Sequence, residues 1–458
     1  MKNDKQNKNS IMNSQNENNR KNDNEPVTGA RSTVDTKPIP YGRQNITDED
    51  ISAVVEALKS DYLTQGPKIK EFEDEFANYV GSKYAVAVSN GTAALHLNAL
   101  ALGVKLGDKV ITSPITFAAS ANCVRYCGGE VVFADIDPET YLLDINNVRA
   151  LLEKDINKEI KGIIPVDFAG RAVDLEAFRE LANEYDLWII QDSCHSPGGF
   201  FIDRNGDQQH CGNGNFADLS IFSFHPVKHI ACGEGGMITT NNEALYQKLL
   251  MLRTHGITKN TETYKNSIEF AVGATTVSSG KVDVMSSAEG VMSSGDDAMS
   301  SGDETYPAWY MEMQTLGYNY RLTDFQAALG SSQLLRAGEG LQRRRVIAQN
   351  YSTAFQNKTY IKGQSGVLEG HAYHLYVIEV ENRLGLYNYL REHKIFAQIH
   401  YIPCHLMPYY REFGWEEGDM PNAEAYYEKC ISLPMFPTLT DREQEFVIDS
   451  INSFYECK

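Results

Sequence analysis

Nothing in the 458 residues approaches the roughly 20 consecutive apolar positions that a membrane helix requires. The N-terminus also lacks an apolar h-region, which argues against a secretory signal. Basic residues are scarce: 42 Lys and Arg stand against 61 Asp and Glu, a net charge of −19. That balance argues against a nucleic-acid binder. The eight cysteines show no metal-ligand pairing; Cys123 and Cys127 fit one side of a helix more simply than a zinc site. No metal is expected, and a reduced, cytoplasmic chain is the natural reading. Two segments lack any hydrophobic period. Residues 1–36 are rich in Asn, Lys, Gln and Ser and have little to bury, the composition of a disordered tail. Residues 259–306 are Ser, Gly, Asp, Val and Met. There Met-Ser-Ser recurs at Met285, Met292 and Met299 in units seven residues long. Ser-Ser-Gly opposes helix, so this segment reads as a low-complexity insertion in a surface loop, tolerable because closure entropy grows only logarithmically with length.

Between these gaps the pattern is regular. Short apolar runs at 84–89, 110–113, 131–136, 162–166 and 187–190 alternate with segments of helical period, which predicts a mostly parallel sheet with helices on both faces. A large α/β domain is expected over 37–258 and again over 307–335. A long amphipathic helix over 332–357 leads into a smaller C-terminal α/β domain, 336–458. The Arg343-Arg344-Arg345 run reads as a solvated helix face.

The chemistry concentrates between Trp188 and Met237. One buried strand delivers Asp192. A second, Asp218–Phe224, delivers Ser223 and Lys228 and runs into Gly233-Glu234-Gly235-Gly236. A carboxylate at one strand end and a lysine at another is what pyridoxal phosphate needs: the amine forms a Schiff base, and the acid keeps the pyridine nitrogen protonated. Upstream, Ser89-Asn90-Gly91-Thr92-Ala93 joins a strand to an apolar helix start, a natural anion site; Thr92 and the backbone of Ala93 are the candidate phosphate contacts. Each residue also has an ordinary reading. Asp192 fits a helix cap, His195 a satisfied loop histidine, Phe117 a core side chain and Lys228, taken alone, a surface lysine.

The run S-F-H-P-V-K-H-I-A-C-G-E-G-G-M resembles the lysine segment of the DegT/DnrJ/EryC1/StrS family of sugar aminotransferases. So do L-T-Q-G-P at 63–67 and L-G-Y-N-Y-R-L-T-D at 316–324. H-Y-I-P-C-H-L-M-P-Y-Y at 400–410 resembles the pseudaminic-acid branch, which aminates carbon 4 of a UDP-linked 4-keto-6-deoxy amino sugar. The resemblance implies a type I pyridoxal-phosphate fold, glutamate as donor, and a homodimer with shared sites. It also implies catalytic Lys228 and Asp192, His195 near the cofactor's phenolic oxygen, Phe117 over its ring and Ser223 on its phosphate. Asn319 would reach the partner's phosphate. Tyr41, Lys68, His374, Tyr401 and His405 are expected toward the substrate, although a packed aromatic loop explains the last two almost as well. Lys228 in this register disfavours a dehydratase, which has histidine there. Amination of another keto nucleotide sugar and a non-catalytic regulator remain alternatives at this point.

Overall fold

The computed structural model describes residues 37–273, 305–363 and 369–456. The tail 1–36 and the Met-Ser-Ser units fall outside these residues. Residues 38–458 make one unit, separate from Met1–Lys37, and the account below concerns that unit.

Its centre is a seven-stranded sheet in the order Tyr84–Val88, Gly236–Thr240, Leu219–Ser223, Trp188–Asp192, Ile160–Ile164, Lys109–Thr112, Glu130–Phe133. Six strands run the same way; Gly236–Thr240 alone is antiparallel to both its neighbours. The strands are nearly continuous apolar runs because helices cover both faces. The antiparallel strand is not visible in the sequence, where its first residue belongs to a glycine-rich turn. Gly236 explains the choice: a Cβ there would sit 2.6 Å from the carbonyl of Asn90, so only glycine lets this strand pass beneath the Asn90 turn.

A second, three-stranded antiparallel sheet, Ile361–Gly363, Tyr376–Val380 and Cys430–Leu433, packs with the helices Ala337–Phe355, Arg383–Glu392 and Asp441–Glu456 around their own apolar cluster. The first described strand belongs to this cluster. Ile39–Pro40 pairs in parallel with Ile395–Phe396, and Ile39 is 3 % exposed within it. The sequence grouped residue 37 onward with the large domain because nothing local reveals a partner some 350 positions away.

Two further expectations change. The single helix over 332–357 is two, Asp324–Leu335 and Ala337–Phe355. They meet at Arg336, whose guanidinium is turned to the buried Asp50 at 2.8 and 2.9 Å. The described ends of the 259–306 insertion are ordered: Glu312, 7 % exposed, accepts the backbone N–H of Lys265 and of Asn266, and Tyr264, Tyr306 and Tyr310 pack together. No described helix is long and apolar enough to cross a membrane.

Candidate active site

Trp188–Asp192 and Leu219–Ser223 are adjacent parallel strands. Their carboxyl ends therefore place Asp192 and Ser223 at the same sheet edge, where ligands bind in open α/β sheets. Tyr84–Val88 ends at that edge too and feeds the helix Gly91–Ala101. A cavity of about 900 Å³ opens there. It is lined by Thr92, Ala93, Phe117, Asp192, His195, Ser223 and Lys228, and from the other side by Tyr41, His374 and Tyr401. Ten of the thirteen residues nominated from sequence thus share one cavity.

Asp192 is 5 % exposed and held from two sides. Ser120 Oγ donates to Oδ2 at 2.6 Å and the Cys194 N–H to Oδ1 at 3.1 Å. Ser120 lines the same cavity, and its sequence context gave no sign of it. Behind Asp192 lies Asp167, fully buried, which accepts from Gln191, Ser193, Ser196 and the backbone of Val173. Burial lifts its carboxyl to about 6 despite these bonds. The Asp167 N–H in turn donates to the Asp192 carbonyl at 3.0 Å, which fixes the strand end.

Lys228 Nζ lies 3.4 Å from His374 Nε2. Burial pushes the lysine below its ordinary range, opposed by Cys194 and Asp192 and reinforced by Arg344. A lysine so placed has more free amine at neutral pH, the nucleophilic form. His195 is held well below the ordinary imidazole value by burial and then by the Lys228 charge. The Ala169 N–H donates to its Nδ1 at 3.2 Å. The neutral ring therefore carries its proton on Nε2, which lies 3.3 Å from Tyr401 Oη.

At the helix start, Asn90 caps the first turn by accepting the Ala93 N–H at 2.8 Å. The backbone donor expected of Ala93 is thus already engaged, while Thr92 and Ser223 keep hydroxyls on the cavity. Phe117 is 64 % exposed and lines the cavity instead of packing in the core.

Three nominations do not join the cavity. Lys68 is a half-buried helix residue whose amine meets Glu71 at 2.6 Å, three positions on, so the helix pair claims it. His405 is completely buried and pairs with Glu424 at 2.8 Å; it braces the 404–424 segment from within. Asn319 is exposed and outside its own chain's cavity. Arg344, expected on a solvated face, is 1 % exposed. Among the described residues no three metal-ligating side chains form a cluster.

An amine, a buried carboxylate acceptor, two hydroxyls and a capped helix start in one cavity form a donor set that suits pyridoxal phosphate. Comparison with known proteins decides the family. Residues 44–452 match the DegT/DnrJ/EryC1/StrS aminotransferase family.

The chain belongs to that family.

It is 36% identical to the spore coat polysaccharide biosynthesis protein SpsC of Bacillus subtilis over 422 residues, 90% of this chain and 96% of that one. It is 32% identical to the UDP-4-amino-4,6-dideoxy-N-acetyl-beta-L-altrosamine transaminase of Campylobacter jejuni over 425 residues, 91% and 98% of the two chains. The putative sugar aminotransferase Spr1654 of Streptococcus pneumoniae, solved in its pyridoxal- and pyridoxamine-phosphate forms, superposes with TM-scores of 0.74 and 0.76 at 27% identity, over 92% of this chain and 99% of that one. This DegT-family chain is accordingly a pyridoxal-phosphate-dependent sugar aminotransferase of fold type I.

Proposed function

We propose that the chain transfers the amino group of glutamate to carbon 4 of a UDP-linked 4-keto-6-deoxy-N-acetyl amino sugar, a step toward pseudaminic acid, as a cytoplasmic homodimer. The observation that carries the reading is the pairing of Lys228 and Asp192 on one cavity. The likeness to the Campylobacter jejuni transaminase, together with the 400–410 run, supports the choice of sugar.

When bound, pyridoxal phosphate supplies the electron sink that carries an amino group between two substrates. Lys228 anchors it through Nζ. As a free amine, Lys228 takes the donor's α-proton on Nζ and gives it up again as general acid. Asp192, its orientation set by Ser120 and Cys194, keeps the pyridine nitrogen protonated. His195, with its Nε2 proton on the cavity beside Tyr401, would donate to the phenolic oxygen. Thr92 and Ser223 would hold the phosphate, Phe117 would cover the ring, and Asn319 would reach the partner's site. Tyr41, His374 and Tyr401 face the sugar. The stronger identity to SpsC favours a second reading in which the acceptor is a different keto nucleotide sugar.

Incubating the enzyme with glutamate and a panel of UDP- and dTDP-linked keto sugars separates the two. The first reading expects an amine at carbon 4 of the UDP-linked N-acetyl sugar, identified by NMR of the product. Turnover confined to a dTDP sugar or to another carbon would replace it with the second.

A further inference from the structure

Arg344 sits on the helix Ala337–Phe355 at 1 % exposure. Its Nη1 donates to the carbonyls of Tyr373 at 3.1 Å, His374 at 3.3 Å and Met435 at 2.9 Å. Among the described residues it meets no carboxylate, and its Nε has no partner. A buried guanidinium without a counter-ion is costly to desolvate, and a packed apolar side chain fills such a position more cheaply. Burial lowers it only to about 10, so it stays charged at neutral pH.

The backbone that Arg344 holds is the segment that carries His374. Three other contacts seat it. Ala372 donates to the Gly170 carbonyl at 2.7 Å and Leu375 to that of Ala169 at 3.1 Å. His229, next to Lys228 in the chain, donates from Nε2 to the Ala372 carbonyl at 2.8 Å. The seat is close: Tyr373 takes φ 48°, and a Cβ on Gly170 would lie 2.7 Å from the Tyr373 nitrogen. What this fixed segment presents to the cavity is His374, 4 % exposed, with Nε2 at 3.4 Å from Lys228 Nζ and Nδ1 unpartnered.

We infer that Arg344 is a positioning residue for Lys228, acting through the 371–375 segment and His374. The clamp fixes where the free amine rests, and its uncompensated charge keeps that amine from holding a proton too firmly. The groups that face Lys228 are Asp192 and Cys194 from the sheet edge, His229 beside it, His195 and His400 across the cavity, and His374 and Arg344 from the small sheet's side. Burial first, then the Lys228 charge, holds His374 well below the ordinary imidazole value, so it meets the amine as a neutral ring.

The inference rests on Lys228 being the reacting amine, so its test does not depend on turnover. Cofactor-free protein is treated with acetic anhydride across a pH series, and Lys228 acetylation is read by peptide mass spectrometry. In Arg344→Met the midpoint is expected to move up by about one pH unit, whereas Arg344→Lys, which keeps the charge, stays near wild type. In the holoenzyme, the glutamate half-reaction of Arg344→Met and of His374→Asn slows by about tenfold or more with little change in glutamate KM. The double variant is no slower than the worse single one, as expected for residues acting through one path. An unchanged acetylation midpoint in folded Arg344→Met overturns the inference. If Arg344→Met does not fold, a wild-type half-reaction rate in His374→Asn overturns it. Wild-type protein that ignores glutamate but shows the shifted midpoint in Arg344→Met would sink the donor assignment and leave this inference standing.

Discussion

The two walls of the cavity are built differently. On the sheet side, Asp192 and its neighbours are satisfied before any ligand arrives: Ser120 and Cys194 hold the carboxylate, and Asn90 holds the helix start. On the other side, side chains come from loops of the second sheet and from the segment around Tyr41. There Nδ1 of His374 and the hydroxyl of Tyr373, both on the 371–375 segment, are buried without a partner among the described residues. Buried polar atoms normally find partners, and those left over mark strain or a ligand. On the sheet wall the carboxylate and the helix start are set before a cofactor binds, while Nε2 of His96 on that wall is also left without a partner among the described residues. The other holds unspent hydrogen-bonding capacity where a variable sugar would bind.

Apart from His374, which touches Lys228, substitutions on the two walls should therefore fail in different ways. Lys228→Ala is expected to lose turnover to background in an assay with glutamate and keto sugar; undiminished activity would end the sheet-wall account. Asp192→Asn should lower kcat by about 10²–10³-fold, the scale of removing one charge-stabilising group, with the sugar KM nearly unchanged in steady-state kinetics. Gly170→Ala tests the seating of the second wall. Its φ of +101° and a Cβ 2.7 Å from Tyr373 N predict a loss of about 2–3 kcal/mol in chemical denaturation. Tyr401→Phe removes only a hydroxyl facing His195, so the sugar KM should rise by about fivefold with the donor half-reaction intact. Lys68→Ala should leave both constants within about twofold, because its exposed pair with Glu71 contributes little. A large sugar KM effect at Lys68 would place a substrate contact outside this chain's own cavity.

The same division decided what could be read from the sequence. Asp192 and Ser223 were legible because each ends a short apolar run, and strand ends converge on one edge whatever the loops do. Lys228 and Thr92 stand beside glycine-containing turns, but only the family resemblance and the Asp192–Lys228 combination singled them out; the structure puts both on the cavity. The second wall offered no such rule. Tyr41 and His374 enter through pairings far apart in sequence, Ile39–Pro40 with Ile395–Phe396 among them. Lys68 and His405 were nominated from a helix and a loop whose directions no local pattern fixes; Glu71 and Glu424 claim them. Arg344 lies in a run of three arginines that differ completely in the fold. Arg343 reaches Asp441, Arg345 reaches the His371 carbonyl, and Arg344 points inward. A helical wheel shows three polar residues there, and only the tertiary path shows which one is buried. The antiparallel strand Gly236–Thr240 was hidden for a related reason: its glycine serves the Asn90 backbone above it, a contact absent from any local window.

The central claim is that one cavity joins a lysine anchor and a carboxylate partner for pyridoxal phosphate and uses them on glutamate. The most direct test is the absorbance spectrum of the purified holoenzyme, recorded before and after glutamate and repeated for Lys228→Ala. The account predicts that glutamate converts the long-wavelength band of the lysine-bound cofactor into the shorter-wavelength band of its amine form. It predicts no lysine-bound band and no such conversion in Lys228→Ala. A glutamate-driven conversion of equal rate in Lys228→Ala would contradict it.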